Sequence, residues 1–138
     1  MDCLFCQIIA KKIPAAFIYD NEKVVAFLDI KPVNPGHTLV VPKTHFENIF
    51  DVSEETFCDI AAAAKRLAPA IREATSADGI NLIVNNARAA GQLVPHIHLH
   101  IVPRRLTDGF RHWKGTPYKD GEIEQVAEKI RAKLRRLF

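Results

Sequence analysis

Apolar residues recur along this chain in two periods, and the switches between them mark its elements. "MDCLFCQIIAKKI" reads as a short helix that ends near Pro14. "FIYDNEKVVAFLDI" reads as two short strands joined at Asp20-Asn21, closed off by Pro32, Pro35 and Gly36. "HTLVVPK" is a buried strand in which Pro42 marks the end of a ladder or an edge. Ser53 then caps the longest helix, with Glu54 and Glu55 in its first turn. Phe57, Ile60, Ala61, Ala64, Leu67, Ala68 and Ile71 share one face of it at helical spacing. Cys58 lies beside that face and reads as a small core residue. Pro69 removes an interior hydrogen bond and predicts a kink. "GINLIVNN" and "VPHIHLHIVPR" read as an antiparallel strand pair joined by the small-residue loop "ARAAGQL". After the irregular "TDGFRHWKGTPYKDG" comes a last helix with Ile123, Val126, Ala127, Ile130, Leu134 and Leu137 on one stripe. This order predicts an α+β fold on a mostly antiparallel sheet. No repeat, low-complexity tract or linker divides it. We therefore expect one domain over 1–138, with a helical extension over roughly 120–138.

Composition narrows the class. A chain of 138 residues suits a single core, and 48% hydrophobic with 25% charged residues is the balance of a soluble globular protein. The net charge of +3 suits an anionic small ligand without calling for nucleic acid. The basic cluster in "KIRAKLRRLF" complements a helix dipole. No apolar run approaches the roughly 20 residues of a membrane span. The start of the chain lacks a signal-peptide pattern. The expected location is cytoplasmic, with reduced cysteines, so that "CLFC" is a metal or redox candidate.

The stretch "PHIHLHIVP" carries the chemistry. On a strand, His96, His98 and His100 share one face, and Ile97, Leu99 and Ile101 share the core face. Successive imidazoles on such a strand stand roughly 6.5–7 Å apart. All three therefore converge poorly on one ion with bonds of roughly 2.0–2.1 Å. A phosphate chain is longer and meets such a row better. The preceding "NNARAAGQLVPH" supports it, because small residues let backbone amides approach an anion. A neutral imidazole is a competent nucleophile near pH 7. Going through a covalent intermediate splits a hard displacement into two easier steps.

"HIHLHIV" meets the His-φ-His-φ-His-φ-φ pattern, with φ hydrophobic, and the chain resembles the histidine-triad family of nucleotide-binding proteins. "AFLDIKPVNPGHTLVVPKTH" and "NLIVNNARAAGQLVPHIHLHIVPR" resemble that family's central segments. "DCLFCQII" and the "PR…DG" after the triad look like its bacterial branch. The resemblance implies an α+β fold that dimerises with the two sheets running together, and a purine nucleotide or dinucleotide bound across the triad. It implies cleavage of nucleoside phosphoramidates or dinucleoside polyphosphates at the α-phosphate through a nucleotidyl-histidine intermediate. The nucleophile falls on His98. His100, Asn85, Gly91, Gln92 and the Leu93 amide fall at the α-phosphate, and His100 is the candidate general acid. Asp29 falls at the ribose hydroxyls. Leu4, Phe5, Ile8, Ile13 and Phe27 fall in the wall of the base pocket, where ordinary core packing would also explain them. His37 takes a supporting place near the triad, and His112 reads as a surface histidine.

Position 93 departs from the pattern, since many members carry a hydroxyl or acidic side chain where this chain has leucine. A purine-nucleotide-binding regulatory module with little catalysis is the alternative that this keeps open. The Cys-x-x-Cys pair reads as half a zinc site, as two small buried residues, or as a redox pair. In the bacterial branch it resembles a structural zinc site of Cys3, Cys6, His45 and His96. His96 would then leave the catalytic row to act as a ligand.

Overall fold

The structure is a computed structural model and describes residues 3–138. Strands β1 (Phe17–Asp20), β2 (Val24–Leu28), β3 (Thr38–Pro42), β4 (Gly79–Val84) and β5 (Leu99–Arg104) form one antiparallel sheet, in the order β1-β2-β3-β5-β4. Asn21 makes the first hairpin, its side-chain oxygen accepting from the amides of Lys23 and Val24 at 2.8 Å each. The β2 and β3 runs look uniformly apolar because both faces of the sheet are covered. Val24, Ala26 and Val40 pack with Ile60, Ala64, Leu67 and Ile71 of the long helix α2 (Glu54–Thr75). Val25, Phe27, Leu39 and Val41 pack with Phe5 and Ile8 of the short helix α1 (Leu4–Ile9).

The Ser53 hydroxyl caps α2 by accepting from Thr56 N at 3.1 Å. Its buried face is close to the predicted one, but Ala63 replaces Ala61, which is exposed. Four consecutive alanines at 61–64 give the pattern no phase there. Cys58 is exposed, not core, because it falls on the solvent side of the same turn. The helix runs unbroken past Pro69, which is also exposed, where water can serve the carbonyl it leaves unpaired.

Helix α3 (Glu122–Leu137) forms as predicted, yet none of its residues is buried. Its stripe of Ile123, Ile130, Leu134 and Leu137 stays open in the single chain. No helix among the described residues is long and apolar enough to cross a membrane.

Two features hold the β2–β3 connection against α2 and β5. Gly36 has φ +96°, and a Cβ there would stand 2.5 Å from Thr75 Cγ2, at the end of α2. The Asn34 amide donates to Pro103 O and to Asp108 Oδ2, both at 2.8 Å. Asp108 in turn takes two bonds of 2.9 Å from the Arg104 guanidinium, which holds its carboxyl far below the ordinary range. The loop that carries Asp29 and His37 is thereby fixed beside the triad strand.

Candidate active site

The β5 ladder begins at Leu99, so His96 and His98 lie just ahead of it. Their face is covered, which alternation alone does not foretell. His96 is fully buried and His98 nearly so, because α1 folds over them and sets the Phe5 ring edge-on at 6.0 Å and 4.9 Å respectively.

Hydrogen-bond partners fix which nitrogen of each imidazole carries the proton. His98 Nδ1 lies 2.7 Å from the carbonyl oxygen of His96 and must donate to it, which leaves Nε2 with a free lone pair. His96 Nε2 donates to Pro42 O at 2.9 Å, which leaves Nδ1 free. The amide of Val33 donates to His37 Nδ1 at 3.1 Å, so His37 Nε2 carries the proton and donates to His100 Nδ1 at 2.9 Å. His100 is thus left with Nε2–H as a donor. The three triad residues present, in order, an Nδ1 lone pair, an Nε2 lone pair and an Nε2–H donor. Burial pushes His98 below its ordinary value, and burial with the neighbouring His98 and His37 pushes His100 down to about 4. All three roles belong to neutral imidazoles.

The free His96 Nδ1 faces Cys3 Sγ at 3.3 Å, Cys6 Sγ at 3.6 Å and His45 Nδ1 at 3.0 Å, and Cys6 Sγ faces His45 Nδ1 at 3.5 Å. A tetrahedral ion with Zn–N and Zn–S bonds would set such atoms roughly 3.3–3.6 Å apart. The four donors can hold one metal ion. Burial and the adjacent Cys3 raise the Cys6 thiol, and a cation would favour its thiolate. A second close group, Asp29, His37 and His100, does not suit a metal. Its His37 Nε2 and His100 Nδ1 are already donor and acceptor to each other, and the Val33 amide opposes the other tautomer.

A cavity of about 290 Å³ opens beside the triad. Leu4, Phe5, Ile8, Ile13 and Phe27 wall its apolar end, while Asp29, Asn85, Gly91, Leu93, His98 and His100 line the rest. Leu93 is 90% exposed. His37 stands behind His100, and His96 belongs to the metal cluster. Gln92 does not line the cavity, because its side chain is engaged with the backbone around it. A larger groove, about 850 Å³, lies between α2 and β4 and brings no imidazole or thiol together.

A model of the HIT domain family matches residues 10–107. The chain belongs to the HIT family. A HIT family protein of Bacillus subtilis, known from a crystal structure, is 41% identical with a TM-score of 0.88, each chain covered over 96%. A zinc-bound histidine triad protein of Mycobacterium smegmatis is 40% identical with a TM-score of 0.77, over 100% of this chain and 99% of that one. Adenosine 5'-monophosphoramidase hnt1 of Schizosaccharomyces pombe is 34% identical, over 98% of this chain and 100% of that protein. The α+β fold with its antiparallel sheet is that of HIT proteins.

Sequence patterns alone do not reach several parts of this HIT site. The Val33 amide and the His96 and Pro42 carbonyls that set the tautomers are backbone groups with no residue signature. Asn86 and Asn48 are further examples. Asn86 Oδ1 accepts from Ile49 N at 2.7 Å, and the Asn48 amide reaches Gln92 at 3.4 Å. The one available signal is "NN" ahead of the loop, since asparagine often bonds nearby backbone, as the Asn86 amide does to Val84 O at 3.3 Å.

These shifts fix a pH dependence. The unfolded chain protonates His100 near pH 6.5, whereas the folded protein resists protonation down to about 4. Between those values the unfolded state binds more protons, so stability falls as pH falls. Urea midpoints measured at about pH 7 and about pH 4.5 should drop in the wild type and drop less in His100→Asn.

Proposed function

We propose that this HIT protein is a nucleotide hydrolase or transferase. It cleaves nucleoside phosphoramidates or dinucleoside polyphosphates at the α-phosphate through a nucleotidyl group on His98. The observation that carries this reading is the His98 tautomer: Nδ1–H is tied to the His96 carbonyl, and the ring lines a cavity with an apolar end. The free Nε2 attacks phosphorus, the bond to the leaving nitrogen or oxygen breaks, and water later attacks the same phosphorus to release the nucleotide. His100 Nε2–H faces the phosphoryl oxygens. The same Nε2–H hydrogen-bonds the departing nitrogen or oxygen, so that His100 assists the leaving group as a neutral imidazole. Asp29 accepts from the ribose hydroxyls, its other oxygen being held by the Lys31 amide at 2.8 Å. Phe5, Ile8, Ile13 and Phe27 receive a purine base. Asn85, Gly91 and the Leu93 amide face the α-phosphate. The phosphoramidase activity named for the S. pombe relative supports this reaction class.

Zinc fits the Cys3, Cys6, His45 and His96 donors, and bound there it would be structural, joining α1 to the triad strand. The zinc-bound relative supports that identity. A homodimer with continuous sheets is supported by the free edge of β4. Leu82 is exposed on that strand, and the groove against α2 is lined by Ala61, Ala64 and Ala68. The buried Asn81 Oδ1 there has no hydrogen-bond partner among the described residues and would gain one from a donor across the edge. The second reading, a binding module with little turnover, rests on Leu93, which offers no hydroxyl to phosphate or leaving group.

Wild-type protein should release AMP from an adenosine phosphoramidate or from diadenosine tetraphosphate. His98→Ala should be slower by a factor on the order of 10³ or more, with AMP binding kept within a few-fold. Binding without product from either substrate would favour the regulatory module. An active His98→Ala would remove the nucleophile. Metal analysis should find about one zinc per chain in protein never exposed to chelator, and little in Cys6→Ser. A content near zero in the wild type would contradict the zinc assignment.

A further inference from the structure

Ala87, at the start of the phosphate loop, has φ +74° and ψ 162°. That region is costly for any residue with a Cβ and is occupied almost only by glycine. Such a conformation persists only where its surroundings over-determine it, and here they do. The Ala87 amide donates to Gln92 Oε1 at 2.8 Å. The Ala87 carbonyl accepts from the amides of Ala90 at 3.1 Å and of Gln92 at 3.2 Å. Both backbone groups of the strained residue are therefore held, two of the three bonds coming from residue 92.

Gln92 has nothing left to offer a phosphate. A glutamine carries two N–H donors and two carbonyl lone pairs. Its Nε2 donates to Glu47 O at 2.6 Å and to Val94 O at 3.1 Å. Its Oε1 accepts from Ala87 N and, at 3.4 Å, from the Asn48 amide. This one side chain joins the loop to the segment that follows the metal-cluster residue His45. The loop it closes holds Gly91, which lines the cavity with His98.

We propose that Gln92 is a positioning residue, not a phosphate contact: it clamps Ala87 in a glycine-like conformation and so holds the phosphate loop against His98. Its effect on nucleotide binding rests on the functional reading above, whereas its effect on the fold does not. Without the clamp, Ala87 relaxes to a negative φ and carries the Gly91 turn away from the nucleophile. With glycine at that position the loop keeps its shape unaided.

A double-mutant cycle of Gln92→Ala and Ala87→Gly tests this, read by calorimetric titration with AMP and with adenosine and by thermal unfolding. Gln92→Ala should weaken AMP by about tenfold or more, since small misplacements at a site carry large penalties, and leave adenosine within about twofold. Adding Ala87→Gly should restore AMP binding to within about threefold of wild type. In unfolding, Ala87→Gly alone should raise Tm by a few degrees, and Gln92→Ala should lower Tm less in its presence. An equal AMP loss in both backgrounds would make Gln92 a direct contact and overturn the proposal. Additive unfolding shifts would overturn the clamp itself. Should wild-type protein bind no AMP, the functional reading fails, and the unfolding cycle still decides the clamp.

Discussion

His98 Nδ1 lies 2.7 Å from the carbonyl oxygen two residues before it, and the rest of the site depends on that bond. A carbonyl can only accept, so the imidazole must donate from Nδ1 and keep Nε2 unprotonated. The Pro42 carbonyl imposes the opposite tautomer on His96, and the Val33 amide imposes that same Nε2–H tautomer on His100 by way of His37, with the N–H rather than the lone pair left to the cavity. Three identical side chains on one stretch of backbone are thus made chemically different by their neighbours. Burial reinforces the choice, because it disfavours the imidazolium that would erase the difference between the two ring nitrogens.

The same burial links the metal cluster to the cavity. Helix α1 has six residues, too few to hold together alone. It persists because Phe5 and Ile8 bury in the sheet, each contributing roughly 1.5–3 kcal/mol, and because Cys3 caps it. Cys3 and Cys6 flank Phe5, so one turn of chain supplies two of the metal-cluster donors and the ring that presses on His98. The Cys/His cluster, the cavity wall and His98 are parts of a single packed unit, and a change at one reaches the others through Phe5.

The strands, the Ser53 cap and the antiparallel pairing around the small-residue loop were all legible, because each has a local pattern or a residue with a fixed preference. So was the grouping of Cys3, Cys6, His45 and His96, which a family likeness points to and the structure brings within 4.8 Å. What escaped depends on long-range packing. Alternation places the histidines on a strand face but is silent on what covers it, and α1 buries them. The contact between His37 and His100 joins residues 63 apart in sequence, through a loop that Asn34 and Asp108 hold in place. Gln92 stands where the family likeness puts a phosphate contact, and only its partners reveal that the side chain is already committed. The α3 stripe formed as the period predicts, yet period alone does not say against what it packs.

The central claim is that backbone partners, not residue type, assign the three roles. Long-range proton–nitrogen correlation NMR of the histidine rings at neutral pH reads it directly. The account predicts the Nδ1–H tautomer for His98 and the Nε2–H tautomer for His96 and His100. An Nε2–H tautomer at His98 would contradict it, since the nitrogen that the proposed reaction needs as its nucleophile would then carry a proton.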